Sequence, residues 1–149
     1  MPTINSFRRV GPGCWTGHKI GWAVEDKEAA LRVCLTPFTN VPCHFEIKLS
    51  DSTANIYLEL AAILLVGLDG VSRCLDLRLP ASTAKNATEG EKLPHSLNDA
   101  LTNLENDQVL VNAIGPEMIK AYCALKKAEI NHGENNTIQE DVFSAFMKF

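Results

Sequence analysis

The feature that most constrains this chain is a change of hydrophobic period at Ser50. Before it, His44-Phe-Glu-Ile-Lys-Leu49 alternates, with Phe45, Ile47 and Leu49 on one face and His44, Glu46 and Lys48 on the other. Alternation of this kind marks a strand with one covered face, because successive side chains of an extended backbone point in opposite directions. After it, residues 52–70 carry Leu, Ala, Ile and Val around most of the circumference of a helix. A helix with so little polar surface is expected to be buried. Strand followed by buried helix predicts an α+β chain.

The same reading extends in both directions. Residues 3–50 are β-rich, with short runs at Ile20-Gly-Trp-Ala-Val24 and Ala30-Leu-Arg-Val-Cys-Leu35 ahead of the alternating segment. Glu25-Asp-Lys-Glu28 reads as a hairpin connection, so the runs predict an incomplete antiparallel sheet. Gly11-Pro-Gly13 marks a loop, residues 11–18, that Gly17 lets bend at its other end. Residues 72–95 lack periodicity and read as an exposed connection. Residues 96–149 are helical, with start signals at Ser96 and Asp99, at Asp107, at Pro116, and at Thr137 with Glu140. Between residues 117 and 131, Met118, Ala121, Tyr122, Leu125 and Ala128 fall on one stripe, and Val142, Phe143, Phe146 and Phe149 supply apolar contact in the last helix. The stretch after His132 reads as a loop.

Composition narrows the partners. A chain of 149 residues that is 46% hydrophobic can bury a core as one domain. Its net charge of −4 leaves no basic stripe for nucleic acid and fits an anionic membrane poorly. The apolar stretch from Leu60 to Leu68 is too short to span a bilayer, and residues 1–9 lack the apolar core of a signal peptide. Five cysteines with no C-x-x-C pair argue against a disulfide framework and a structural zinc site, and point to reduced thiols in the cytoplasm. His18, His44, His95 and His132 show no ligand spacing.

The chemistry-bearing residues gather upstream of Ser50. Arg9, Lys27, Arg32 and Lys48 are cations on or near the strands, and Glu46 is a carboxylate among them. Several cations beside one carboxylate suit a site for phosphate and carboxylate groups; the competing reading is a solvated sheet face with weak ion pairs.

Two segments carry a resemblance that bears on this choice: Asn5-Ser-Phe-Arg-Arg-Val-Gly-Pro-Gly13, and Phe45-Glu-Ile-Lys-Leu-Ser-Asp-Ser-Thr-Ala-Asn-Ile-Tyr-Leu58. Together they resemble the C-terminal part of a glutamine synthetase catalytic domain, in a divergent branch of that family. The resemblance implies that the sheet is part of the family's catalytic barrel, that Arg9 holds glutamate and takes part in catalysis, and that Gly11, Gly13 and Trp15 lie in a flap over the glutamate entrance. It further implies that Lys27 and Arg32 contact the transferring phosphoryl group and the nucleotide phosphates, that Glu46 ligates a divalent metal, and that Lys48 lies near the substrate. The implied reaction is ATP-dependent formation of glutamine from glutamate and ammonia through γ-glutamyl phosphate, with ATP and Mg2+ or Mn2+ as cofactors.

Departures from the family pattern are local. Trp15 stands where ammonia-using members usually carry a glutamate, which opens the acceptor to another amine. Lys27 and Lys48 replace arginines, keeping charge but losing the bidentate fork. Ile56 replaces a proline. The family's other metal ligands and its nucleotide-binding segment lie before the point that matches Met1. The isolated chain is therefore expected to be inactive alone, needing an upstream synthetase half or a homo-oligomer. The alternative from another class is a non-catalytic interaction or regulatory module that binds a full-length synthetase.

Overall fold

Between Arg8 and Asp51 the β-prone runs form three strands: β1 (Trp22–Val24), β2 (Leu31–Leu35) and β3 (Pro42–Ile47). The computed structural model describes residues 1–12, 14, 16, 18–77, 92–133 and 136–148. The expected flap residues Gly13 and Trp15, the hinge at Gly17, most of the 72–95 connection and Phe149 lie outside the described residues. The chain forms two compact units, one of residues 8–51 with 77–93, the other of residues 1–7, 52–76 and 94–149.

The sheet of the first unit has the order β1-β2-β3. β2 and β3 pair antiparallel, with Leu31 opposite Ile47, Arg32 opposite Glu46, Val33 opposite Phe45 and Cys34 opposite His44. β1 instead pairs parallel to β2, through Trp22–Leu31, Ala23–Arg32 and Val24–Val33. The sheet is therefore mixed, and residues 25–28 are not a hairpin. Glu25, just past β1, takes a left-handed conformation (φ 54°), and its amide donates to Val33 O at 3.0 Å, continuing the pairing with β2 by one bond. Because β1 is only three residues long, a short return through buried Ala29 and Ala30 suffices to bring β2 alongside in the same direction. Pro42 opens β3, where a missing amide is tolerated because the strand is at the sheet edge. The face expected to be covered is open at β3, where Phe45 is 69% exposed.

The second unit is helical. Residues 4–7, read from sequence as β-rich, form the short helix α1 (Ile4–Phe7). Thr3 and Ser6 cap it reciprocally, the Thr3 amide donating to Ser6 Oγ and the Ser6 amide to Thr3 Oγ1, each at 3.2 Å. Two local hydrogen bonds outweigh the weak strand preference of a four-residue run. α2 (Ile56–Ser72) is capped by Asn55, whose Oδ1 accepts from the amides of Tyr57 and Leu58. Ile56 occupies its first position, where proline is favoured because that amide has no intrahelical partner. The helix runs past Gly70 to Ser72, and Arg73 pairs with Asp69 at 3.1 Å.

The expectation that residues 52–70 form a buried helix is corrected: no residue of α2 is buried. Tyr57, Leu64, Leu68 and Val71 stand exposed. Periodicity reports that a helix has no polar side; it does not supply the elements that would cover it. Here α2 packs on α4 (Gln108–Ile114), a seven-residue helix too short to cover a seventeen-residue one.

The remaining helices build the core. α3 (Leu97–Asn106) is capped by Ser96, whose Oγ accepts from the Asp99 amide at 3.1 Å. Asp107 closes α3 and caps α4, accepting from Val109 and Leu110. Gly115 (φ 104°) separates α4 from α5 (Pro116–Gly133). α6 (Ile138–Lys148) follows the Thr137–Glu140 capping pair. Leu97, Leu101, Ile119 and Cys123 form the buried cluster, with Phe7, Leu104 and Tyr122 against it. The stripe read on α5 is therefore displaced: Met118 and Leu125 are exposed, and Ile119 and Cys123 face inward. No helix among the described residues is long and apolar enough to cross a membrane.

Candidate functional site

Antiparallel register places Arg32 on β2 directly across from Glu46 on β3. Directly opposed residues share a face, so the two side chains meet without any loop to position them. Arg32 Nε lies 3.0 Å from Glu46 Oε2. The single Nε–H, however, is donated to Cys34 Sγ at 3.1 Å, two residues along on the same face. The contact with Glu46 is thus one of charge, and Glu46 Oε2, itself buried, accepts no hydrogen bond among the described residues. The hydrogen bond to Cys34 holds the Arg32 guanidinium above its ordinary pKa, with Glu46 and Glu25 adding to the effect. Arg32 is a permanent cation.

The other basic residues turn toward the backbone. Arg9 donates from Nη1 to Ser50 O at 2.9 Å and from Nη2 to Lys48 O at 2.7 Å. Lys48 donates its amide to Ala30 O at 3.1 Å, and its ammonium to Lys27 O. The Lys27 side chain is exposed. The structure therefore brings together Arg32 and Glu46 by their side chains, and Arg9, Lys48 and Lys27 by side chain to main chain. In the loop that follows Arg9, Cys14 N donates to Gly11 O at 3.1 Å, and Thr16 Oγ1 donates to Arg9 O at 2.7 Å.

Cys34 is the site residue that the sequence reading missed. Its signal was present in the alternation of β2, which puts Arg32 and Cys34 two residues apart on one face. Thiols weighed for disulfides and zinc are easily overlooked as acceptors for a guanidinium.

The arrangement can oppose a delocalised cation to an anionic oxygen and still leave a carboxylate oxygen for a further cation. A hard divalent metal takes six or more oxygen ligands. Glu46 offers one, and among the described residues no group of three or more His, Cys, Asp or Glu is placed to hold a metal. The described residues do not make a metal site on their own.

A guanidinium and a carboxylate paired on neighbouring strands are the site's one side-chain contact between opposite charges among the described residues. Residues 1–143 match the family model for the glutamine synthetase catalytic domain, and the chain belongs to the glutamine synthetase family. Type-1 glutamine synthetase 1 of Dictyostelium discoideum is 32% identical over 130 residues, covering 85% of this chain and 26% of that protein. The glutamine synthetase of Methanococcus maripaludis is 34% identical over 136 residues, covering 86% of this chain and 30% of that protein. Among solved structures, a GmaS/ADP complex superposes with a TM-score of 0.71 at 29% identity over 97% of this chain and 34% of that one. A novel glutamine synthase homolog gives a TM-score of 0.73 at 27% identity, covering 91% and 31%. The chain thus spans about a quarter to a third of the length of these relatives.

Proposed function

We propose that this chain forms one wall of the active site of an ATP-dependent carboxylate–amine ligase of the glutamine synthetase type, and that it works with structure it does not itself provide. The observation that carries this reading is the Arg32–Glu46 pair, a cation and a buried carboxylate oxygen fixed by strand register.

The chemistry fits the pair. The side-chain carboxylate of glutamate attacks the γ-phosphorus of ATP, ADP leaves, and the acyl phosphate is then attacked by an amine, releasing phosphate and a proton. Phosphoryl transfer of this type asks the protein chiefly for positioning and for charge neutralisation. Arg32, a permanent cation, meets the transferring group from β2, with Lys27 beside the nucleotide phosphates. The solved relative bound to ADP supports a nucleotide site in this fold. Glu46 would hold a divalent metal through one carboxylate, with the other ligands supplied from outside the described residues. Lys48, at the end of β3, stands toward the glutamate side.

The test is a chimera in which this chain replaces the matched quarter of the Dictyostelium synthetase, assayed for phosphate release from ATP. Release that requires both L-glutamate and an amine, ammonia or methylamine, is the expected result. A folded chimera that releases no phosphate with either amine overturns the reading.

A further inference from the structure

We propose that Cys34 is a positioning residue: its thiol takes the Nε–H of Arg32, which keeps the guanidinium from closing side-on onto Glu46. The orientation rests on the geometry of the sheet; its use in catalysis rests on the ligase reading above.

A guanidinium carries one N–H on Nε and two on each terminal nitrogen, all in a rigid plane. A carboxylate standing at the Nε edge ordinarily closes on it side-on, with two parallel N–H···O bonds from Nε and the neighbouring terminal nitrogen. Glu46 stands at that edge, with Oε2 3.0 Å from Nε. The side-on pair nevertheless does not form. The Nε–H is directed at Cys34 Sγ at 3.1 Å, and Glu46 Oε2 accepts no hydrogen bond among the described residues.

The thiol is itself held in place. β2 is the middle strand of the sheet, and Cys34 pairs with His44 on β3. Its carbonyl accepts from the Cys43 thiol at 3.3 Å. Arg32 and Cys34, two residues apart on one strand, share a face, so no loop is needed to bring them together. At 3% exposure Cys34 is too buried to meet a substrate, and its influence on a reaction passes through Arg32.

A weak sulfur acceptor suits this task, because it orients the donor without competing strongly for its charge. The bond uses one N–H of five. Arg32 keeps its terminal pair, the fork that matches two oxygens of a phosphoryl group, and Glu46 keeps an oxygen for a cation. A side-on pair would commit the two residues to each other.

The Arg32 Nε–H resonance of the full chain, assigned as the signal lost in Arg32→Lys, tests the orientation without any substrate. Glu46→Gln is expected to move it little while Cys34 holds the donor. In Cys34→Ala the donor is released to the carboxylate, so the resonance moves downfield, and adding Glu46→Gln reverses that movement. Cys34→Ser, whose hydroxyl still accepts, stays near the wild-type position. Where Cys34→Ala unfolds the sheet, Cys34→Val keeps the bulk and the strand preference and carries the same test. An effect of Glu46→Gln equally large with and without Cys34 overturns the proposal, as does a resonance that Cys34→Ala and Cys34→Val leave in place. In the chimera with the Dictyostelium synthetase, Cys34→Ala is expected to lower kcat for glutamate-dependent phosphate release by about tenfold to a hundredfold with KM for glutamate unchanged, and Cys34→Ser to regain part of it. An undiminished kcat in Cys34→Ala overturns the catalytic role. A chimera that releases no phosphate before any substitution at Cys34 removes the ligase reading alone, and the resonance then decides the orientation by itself.

Discussion

At the scale of single residues, the charges that matter are those whose partners are fixed by backbone geometry. Glu140 is the simplest case. Its carboxylate accepts from the Thr137 amide at 2.7 Å and the Thr137 hydroxyl at 2.8 Å, and these bonds, the amide first, hold its pKa below the ordinary 4.5. A depressed folded value means the charged form stabilises α6 at all pH above the unfolded pKa, and that this contribution is lost as pH falls through the lower folded value. Thermal unfolding measured from about pH 6 down to about pH 3 should therefore lose less stability in Glu140→Gln than in the wild type. Equal losses would show that the capping pair does not form. Much of this was legible: the spacing of Thr137 and Glu140 is a capping pattern whose geometry is local. The Arg32–Glu46 pairing was legible only as shared membership of a sheet. Register decides which side chains meet, and register depends on the turn at residues 36–41, where Asn40 takes a left-handed conformation (φ 54°) and the Thr36 amide donates to Val41 O at 2.9 Å.

At the scale of elements, boundaries set by capping side chains followed the sequence, and faces set by tertiary packing did not. Ser96, Asp107 and Pro116 each mark where a helix begins in the structure, because a cap needs only its own first turn. The inward face of α5 was misplaced by one position, since Ile119 and Leu125 both continue a plausible stripe and only the neighbour α3 selects between them. Direction of pairing was equally hidden: the run of charges at residues 25–28 suits a hairpin, yet β2 runs parallel to β1. The α4–α5 corner gives the sharpest test at this scale. Gly115 sits at φ 104° with no atom within 4 Å of where a Cβ would stand. Gly115→Ala should cost about 1–2 kcal/mol through backbone strain alone, and Asp107→Ala should cost about 1 kcal/mol through its cap. The two costs should add only in part, since both sit on one short helix. Chemical denaturation of the single and double variants checks this. A Gly115→Ala protein as stable as the wild type would show that the corner does not require the left-handed half of backbone space.

At the scale of the whole molecule, the departure that matters most is apolar surface. The most apolar helix, α2, has no buried residue, and the sheet presents Phe45 and Val24 to solvent. Beside α2, an apolar cavity of about 440 Å³ opens between Leu58, Ala62, Leu110, Ile114 and Tyr122. Exposed apolar surface on this scale marks a contact surface. The relatives compared are about three times as long as this chain. Composition could announce that α2 is apolar, and the resemblance could announce the family, but neither shows what lies against the helix. The account therefore stands on the wall of the site that this chain does possess. Its most direct test is Glu46→Ala in the chimera with the Dictyostelium synthetase, read as glutamate-dependent phosphate release from ATP. The account predicts a loss of about a hundredfold or more, the scale for removing one electrostatic contact at a reacting centre, with the fold intact by circular dichroism. Release undiminished by Glu46→Ala would contradict it, placing the chemistry elsewhere and leaving Arg32 and Glu46 as an ion pair on a sheet face.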